Sequence, residues 1–210
     1  MQHLYIVGAG GFGREVYSWL QDLPEAERNW TLGGFLDDNP DALRGFNYEK
    51  GVVGSIVDCT PRSSDLFVCG IGAVGPKRAS CQPLLDKGAH FMTLVHSSVI
   101  IGVNVKLGAG VVLCPGVVLT CDIEVGEMAM INCNSTVGHD AQVGAWSTVS
   151  AHCDLTGNTR LGAESFMGSG ARIIPGKAVG AGSVVGAGSV VIRSVGDGKK
   201  VFGNPARVFG

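Results

Sequence analysis

A basic excess, a long apolar run and paired cysteine spacings are all missing from this chain of 210 residues. The formal charge is −2 and only 16% of residues are charged, which gives no electrostatic ground for a nucleic-acid partner. Although 45% of the residues are hydrophobic, Gly, polar or charged residues interrupt every apolar run. None approaches the ~18–20 residues that a membrane span needs, so no membrane insertion is expected. Seven cysteines, an odd number with no C-x-x-C, argue against a disulfide framework and against a zinc knuckle. Reduced thiols in a cytoplasmic protein are the simpler expectation. No cluster has ligand spacing, so no metal is expected either. The opening "MQHLYIVGAGGFG" enters a strand-like run at once and lacks a basic region or cleavage site; it reads as a mature start and not as a signal peptide.

Glycine is what the chain has in excess: 33 of 210 residues, against ordinary usage of roughly 7%. An internal repeat accounts for it. Counting in sixes from Val95 through Leu113, Val137 and Leu155 to Val191 gives 17 consecutive aliphatic or Met positions without an insertion. At about one aliphatic residue in three, chance would produce such a run roughly once in 10⁸. The residue after the hit is often Gly, and the residue four after it is almost always small or aliphatic. Six residues per short strand and turn, three strands to a coil, make a triangular prism of parallel strands. Its coils stack at roughly 4.8 Å, with Gly expected to accept the positive φ of the turn. The pattern resembles left-handed parallel β-helix proteins, an exception to the usual right-handed crossover. Most members of that class are acyltransferases using acetyl-CoA or acyl carrier protein. The handedness is implied by that resemblance and not by the period.

Before the repeat the texture differs, which predicts domains at 1–92 and 93–210. "LYIVGAGGFGREVYSWL" reads as strand, tight turn and helix, with Gly8, Gly10 and Gly13 matching G-x-G-x-x-G. "WTLGGFLDDN" is a second strand ending in Asp37-Asp38, roughly twenty residues after Gly13. "DLFVCGIG" is a third, followed by a helix from near Pro76 to Gly88. This is the sequence of an α/β Rossmann-like domain, whose chemistry is phosphate capture by backbone N–H groups at a helix N-terminus. Ninety residues hold one βαβαβ half, so a mononucleotide-type ligand fits better than a dinucleotide. Asp37 or Asp38 is a candidate for bonding a base or ribose, and Lys77-Arg78 for meeting a pyrophosphate. A plain turn carboxylate and a solvated basic pair are the alternatives.

One repeat departs from its neighbours: "INCNSTVGHDAQVG", where His139-Asp140 stands at an otherwise small-residue corner. His139 lies two after Val137, so it faces outward, and a coil of eighteen residues puts Gly157 beside it. A carboxylate neighbour fixes an imidazole's tautomer, and an open backbone amide can steady an oxyanion. Together these form the constellation for proton removal coupled to attack on a carbonyl.

"FLDDN", "INCNSTVGHD", "LTGNTRLG", "VVGAGSVV" and "VFGNPAR" resemble bacterial nucleotide-sugar N-acetyltransferases of the sialic-acid O-acetyltransferase family. The similarity runs over essentially the whole chain. It implies an N-terminal domain that binds the nucleotide and a prism that forms a homotrimer with acetyl-CoA between subunits. It also implies His139 as general base, Asp140 as its helper, Asn132 near the sugar and the Gly157 amide facing the thioester carbonyl. Some members carry a second His nine residues after the first; here that position is Thr148. His152 lies on a different corner from His139 and cannot simply replace it. Trp146, expected to be exposed beside Glu164, is a candidate to cover CoA or a subunit contact. Lys199, Lys200 and Arg207 flank "FGNPA" and are candidates to meet CoA phosphates. The expected activity is direct acetyl transfer from acetyl-CoA to the 4-amino group of a UDP-, dTDP- or GDP-linked 4-amino-4,6-dideoxy sugar, for cell-surface polysaccharide. O-acetylation of sialic acid or another sugar hydroxyl, and a non-catalytic nucleotide-sugar-binding scaffold, remain open alternatives.

Overall fold

The computed structural model describes residues 2–209, and the chain divides into two compact units, Met1–Leu94 and Val95–Gly210. In the first, a parallel sheet has the order β3-β2-β1-β4-β5. Its elements are β1 (Gln2–Val7), α1 (Gly11–Asp22), β2 (Trp30–Leu36), β3 (Val52–Gly54), β4 (Asp65–Cys69), α2 (Val74–Asp86) and β5 (His90–Phe91). The short strands β3 and β5 carry too few residues to show a pattern in the sequence. The strand order reverses beside β1, so the glycine turn that follows β1 lies at the sheet's topological switch point, where open α/β sheets bind ligands.

The three glycines of that turn do different work. Gly8 adopts φ +98°, a conformation that strains any L side chain. A Cβ on Gly13 would run into the Gly8 carbonyl, so its absence lets α1 pack on the turn. Gly10 has an ordinary φ of −70° and nothing within 4 Å of where its Cβ would be. Nothing inside the fold, then, demands glycine at position 10.

The second unit is the predicted prism. Its two-residue strands form three parallel ladders in which each residue pairs with the one eighteen further on, as Val118 does with Thr136 and Gln142 with Arg160. The six-residue hits from Leu113 to Val191 fill the core, each 4% exposed or less. At the open end, Ile101 is 41% exposed and Val95 and Leu107 are only partly buried, because the first coil has a neighbour on one side alone. Beyond Val191 the coil shortens by two residues: Val179 pairs with Val195 and Val185 with Val201, a spacing of sixteen. Val195 and Val201 thus continue the core where the count in sixes has already failed. The small interior positions include Ser135, Ser147 and Ser165, whose hydroxyls donate to backbone carbonyls at 2.7–2.9 Å, which removes the cost of burying them.

The turn glycines divide into two sets, and Gly110, Gly116, Gly170, Gly176, Gly182 and Gly188 take the expected positive φ, at 64–72°. Those directly after the core residue do not take positive φ; a Cβ on Gly138 would lie 2.7 Å from the Gly157 nitrogen of the next coil. They permit close stacking of backbones. The left-handed position is two residues later, and there non-glycine residues are common: Asn104, Asp122, Asn134, Asp140, Trp146, His152, Asn158 and Glu164 all have φ of 55–63°. Asn and Asp tolerate this region best, which gives Asp140 a conformational reason for its place.

Candidate active site

His139 and Asp140 occupy the turn between the Thr136–Val137 and Gln142–Val143 strands. The turn is tied to the coils on both sides: the Asp140 N–H donates to the Cys121 carbonyl (3.2 Å) and the Asn158 N–H to the His139 carbonyl (2.7 Å). His139 Nδ1 and Asp140 Oδ2 are 2.8 Å apart, with both side chains about two-thirds exposed. With Nδ1 protonated and bonded to the carboxylate, Nε2 carries the lone pair. The ring lies over Gly157, where a Cβ would be 2.7 Å from His139 Cε1 and closer still to Nε2. Among the described residues the Gly157 N–H makes no hydrogen bond. A base with its lone pair open to solvent therefore sits one coil from an unused amide donor.

Not every predicted site residue joins this corner. Asn132 is on the turn before, one strand away, and its Oδ1 accepts the Cys133 N–H at 2.7 Å. His152 shares Asn132's ladder of turns, with its N–H donating to the Cys133 carbonyl. Thr148 is buried in the strand that pairs with Met130 and Phe166. The expectation for Trp146 needs correction: it is 2% exposed, its Nε1–H pointing to Glu127 Oε1 at 3.3 Å. It is not an exposed cover for CoA within this chain. Lys199, Lys200 and Arg207 are exposed near or on an antiparallel hairpin that ends the longest ladder. Cys153 is buried and its thiol pushed up to about 11 by burial, so it offers no thiolate.

In the N-terminal unit the strand-end acids bond to the chain itself. Asp37 Oδ2 accepts the Ala9 N–H (2.8 Å) and its Oδ1 accepts the Asn39 N–H (2.9 Å). Asp38 Oδ1 accepts the Ser55 hydroxyl and the Ile56 and Val57 N–H groups at 2.7–3.1 Å. The Ser55 hydroxyl, followed by the Val57 N–H, holds that carboxyl below its ordinary range. Asp37 thus braces the glycine turn and Asp38 the segment after β3, which among the described residues leaves Asp38 Oδ2 as the carboxylate oxygen without a hydrogen bond. Lys77 is not a solvated cation: it is 1% exposed, and burial pushes its ammonium down to about 8. Helix α1 opens at Gly10 without a side-chain cap, so its first N–H groups face outward. Among the described residues no group of three or more His, Cys, Asp or Glu is placed to hold a metal, and no helix is long and apolar enough to cross a membrane.

A Rossmann-like unit with an open helix N-terminus, joined to a hexapeptide prism with a His-Asp corner, defines a hexapeptide acyltransferase. The model of the PglD N-terminal domain matches residues 3–82. Among curated proteins none matches the chain by sequence. Solved structures do match along its whole length. PerB from Caulobacter crescentus, in complex with CoA and GDP-perosamine, is 29% identical with a TM-score of 0.86, covering 100% of this chain and 98% of that one. The acetyltransferase domain of PglB from Neisseria gonorrhoeae, in complex with acetyl coenzyme A, is 28% identical with a TM-score of 0.87, covering 99% of each. A histidine-to-alanine mutant of GDP-perosamine N-acetyl transferase from Caulobacter crescentus is 26% identical with a TM-score of 0.85, covering 100% and 98%. Residues 3–82 thus match the PglD N-terminal domain, and the whole chain is similar in sequence and fold to solved acetyltransferases, a GDP-perosamine N-acetyl transferase among them.

Proposed function

We propose that this chain transfers acetyl from acetyl-CoA directly to the 4-amino group of a nucleotide-linked 4-amino-4,6-dideoxy sugar. The observation that carries the reading is the His139–Asp140 pair seated on Gly157, in a chain whose solved relatives hold CoA and GDP-perosamine. His139 Nε2 takes the proton as the amine attacks the thioester carbonyl. Asp140 holds the tautomer and offsets the imidazolium charge, and the Gly157 N–H donates to the oxygen of the tetrahedral intermediate. Collapse of that intermediate forms the amide and expels CoA thiolate, which is protonated as it leaves. Asn132 contacts the sugar, and Lys199, Lys200 and Arg207 contact CoA phosphates. We place the reaction in the cytoplasm, in a homotrimer. Acceptor-dependent release of thiol from acetyl-CoA separates this reading from a nucleotide-sugar-binding scaffold.

The nucleotide belongs to the glycine turn of the N-terminal unit. Gly10 is free of steric demands from the fold, so Gly10→Val should fold normally yet obstruct a phosphate approaching the helix N-terminus. The sugar-nucleotide KM should rise about tenfold or more, with the acetyl-CoA KM nearly unchanged. An equal rise in both would remove the nucleotide from this unit. For the assembly, light scattering should give three times the chain mass of 21.7 kDa, and an active monomer at assay concentration would refute a site shared between subunits.

A further inference from the structure

A cleft of about 570 Å³ borders the His139 corner, lined by Asn104, Asp122, Asp140 and Asn158 on the turns and by Lys106, Glu124, Gln142 and Arg160 on the strands. These are two ladders of outward side chains, one residue of each per coil. In the first two coils the rungs satisfy each other. Asn104 Nδ2 donates to Asp122 Oδ1 at 2.9 Å, and Lys106 Nζ meets Glu124 Oε1 at 3.0 Å. In the next two coils they do not. Asp140 is bonded to His139, while the side chains of Gln142, Asn158 and Arg160 make no hydrogen bond or ion pair among the described residues. Arg160 has Gln142 on one side of its ladder and Ala178 on the other, so neither neighbouring rung supplies a counter-charge. The change from paired to unpaired rungs falls at the coils that carry the base and the Gly157 amide.

Building on the proposed reaction, we infer that Arg160, with the Asn158 and Gln142 amides, forms a phosphate-binding subsite beside the base. It contacts the diphosphate of one of the two substrates, in addition to the phosphate contacts proposed above. The set is rich in donors, and guanidinium pairs with phosphate oxygens in the bidentate geometry that makes such contacts strong. Both the nucleotide sugar and acetyl-CoA carry a diphosphate, so the chemistry is shared and the source is a matter for measurement.

The test is isothermal calorimetry on the full chain and on Arg160→Met, with CoA as one probe. The other probe is whichever of UDP, dTDP and GDP the wild type binds most tightly. Arg160 is exposed, so the variant should keep its melting temperature, and Arg160→Lys should retain part of the affinity. The expected result is a rise of about tenfold in Kd for one probe, with a shallower dependence of that Kd on salt. A rise for the nucleoside diphosphate assigns the subsite to the acceptor, and a rise for CoA assigns it to the donor. Unchanged affinity for both, or loss of the assembled mass in Arg160→Met, overturns the subsite. A wild-type chain that binds neither probe would instead overturn the acetyltransferase reading itself, and the subsite with it.

Discussion

Replacing His139 with alanine is expected to lower kcat by about 10²–10⁴, the usual worth of a positioned general base. Both KM values should change little. A sugar ammonium is no nucleophile, so the proton must leave before or during attack, and the interaction lost belongs mainly to the transition state. The His139 side chain is exposed and, among the described residues, bonded only to its neighbour Asp140, so its removal should leave the prism folded and the melting temperature close to that of the wild type. Steady-state kinetics over both substrates checks this. A variant that keeps more than a tenth of wild-type kcat would show that the base lies elsewhere, with His152 of a neighbouring copy the first suspect.

Gly157→Ala should be nearly as damaging, although it adds only a methyl group. The added Cβ would overlap His139 Nε2 and lie 2.7 Å from Cε1 and 3.0 Å from Cδ2. The backbone at Gly157 is not in the left-handed region, so alanine fits the turn itself. The strain falls on the imidazole, which must swing away from the amide it stands over. A displacement of about 1 Å at a reacting group costs on the order of 10² in rate. The predicted signature is therefore a kcat reduced about a hundredfold with thermal stability preserved. A Gly157→Ala enzyme with wild-type kcat would mean that the ring's seat on Gly157 plays no part in catalysis.

The prism was legible from the sequence because each two-residue strand turns one aliphatic residue inward, and that alternation repeats for as long as the turns keep one length. Where the turn shortens after Val191, the count stops although Val195 and Val201 continue the core. The left-handed turn position was legible only in part. Gly, Asn and Asp fill most of those positions, but coil stacking also holds Met128, Trp146 and Glu164 there, residues with no intrinsic preference for it. The eighteen-residue rule correctly put His139 against Gly157, because stacking is what the repeat encodes. It could not show that Trp146 is buried, since burial depends on what covers a residue. Asp37 and Asp38 illustrate a different limit: an acid at a strand end reads the same whatever it bonds, and the sequence did not show that Asp37 accepts the Ala9 N–H of the glycine turn or that Asp38 accepts the Ile56 N–H.

Analysis of the product tests the central claim most directly. Wild-type chain is incubated with acetyl-CoA and a nucleotide-linked 4-amino-4,6-dideoxy sugar, and the sugar is examined by mass spectrometry and by stability to mild base. The account predicts gain of one acetyl group, held as a base-stable amide, with one CoA thiol released for each acetyl transferred. A base-labile ester would contradict it by moving the chemistry to a hydroxyl. No acetyl gain across UDP-, dTDP- and GDP-linked acceptors would contradict it outright.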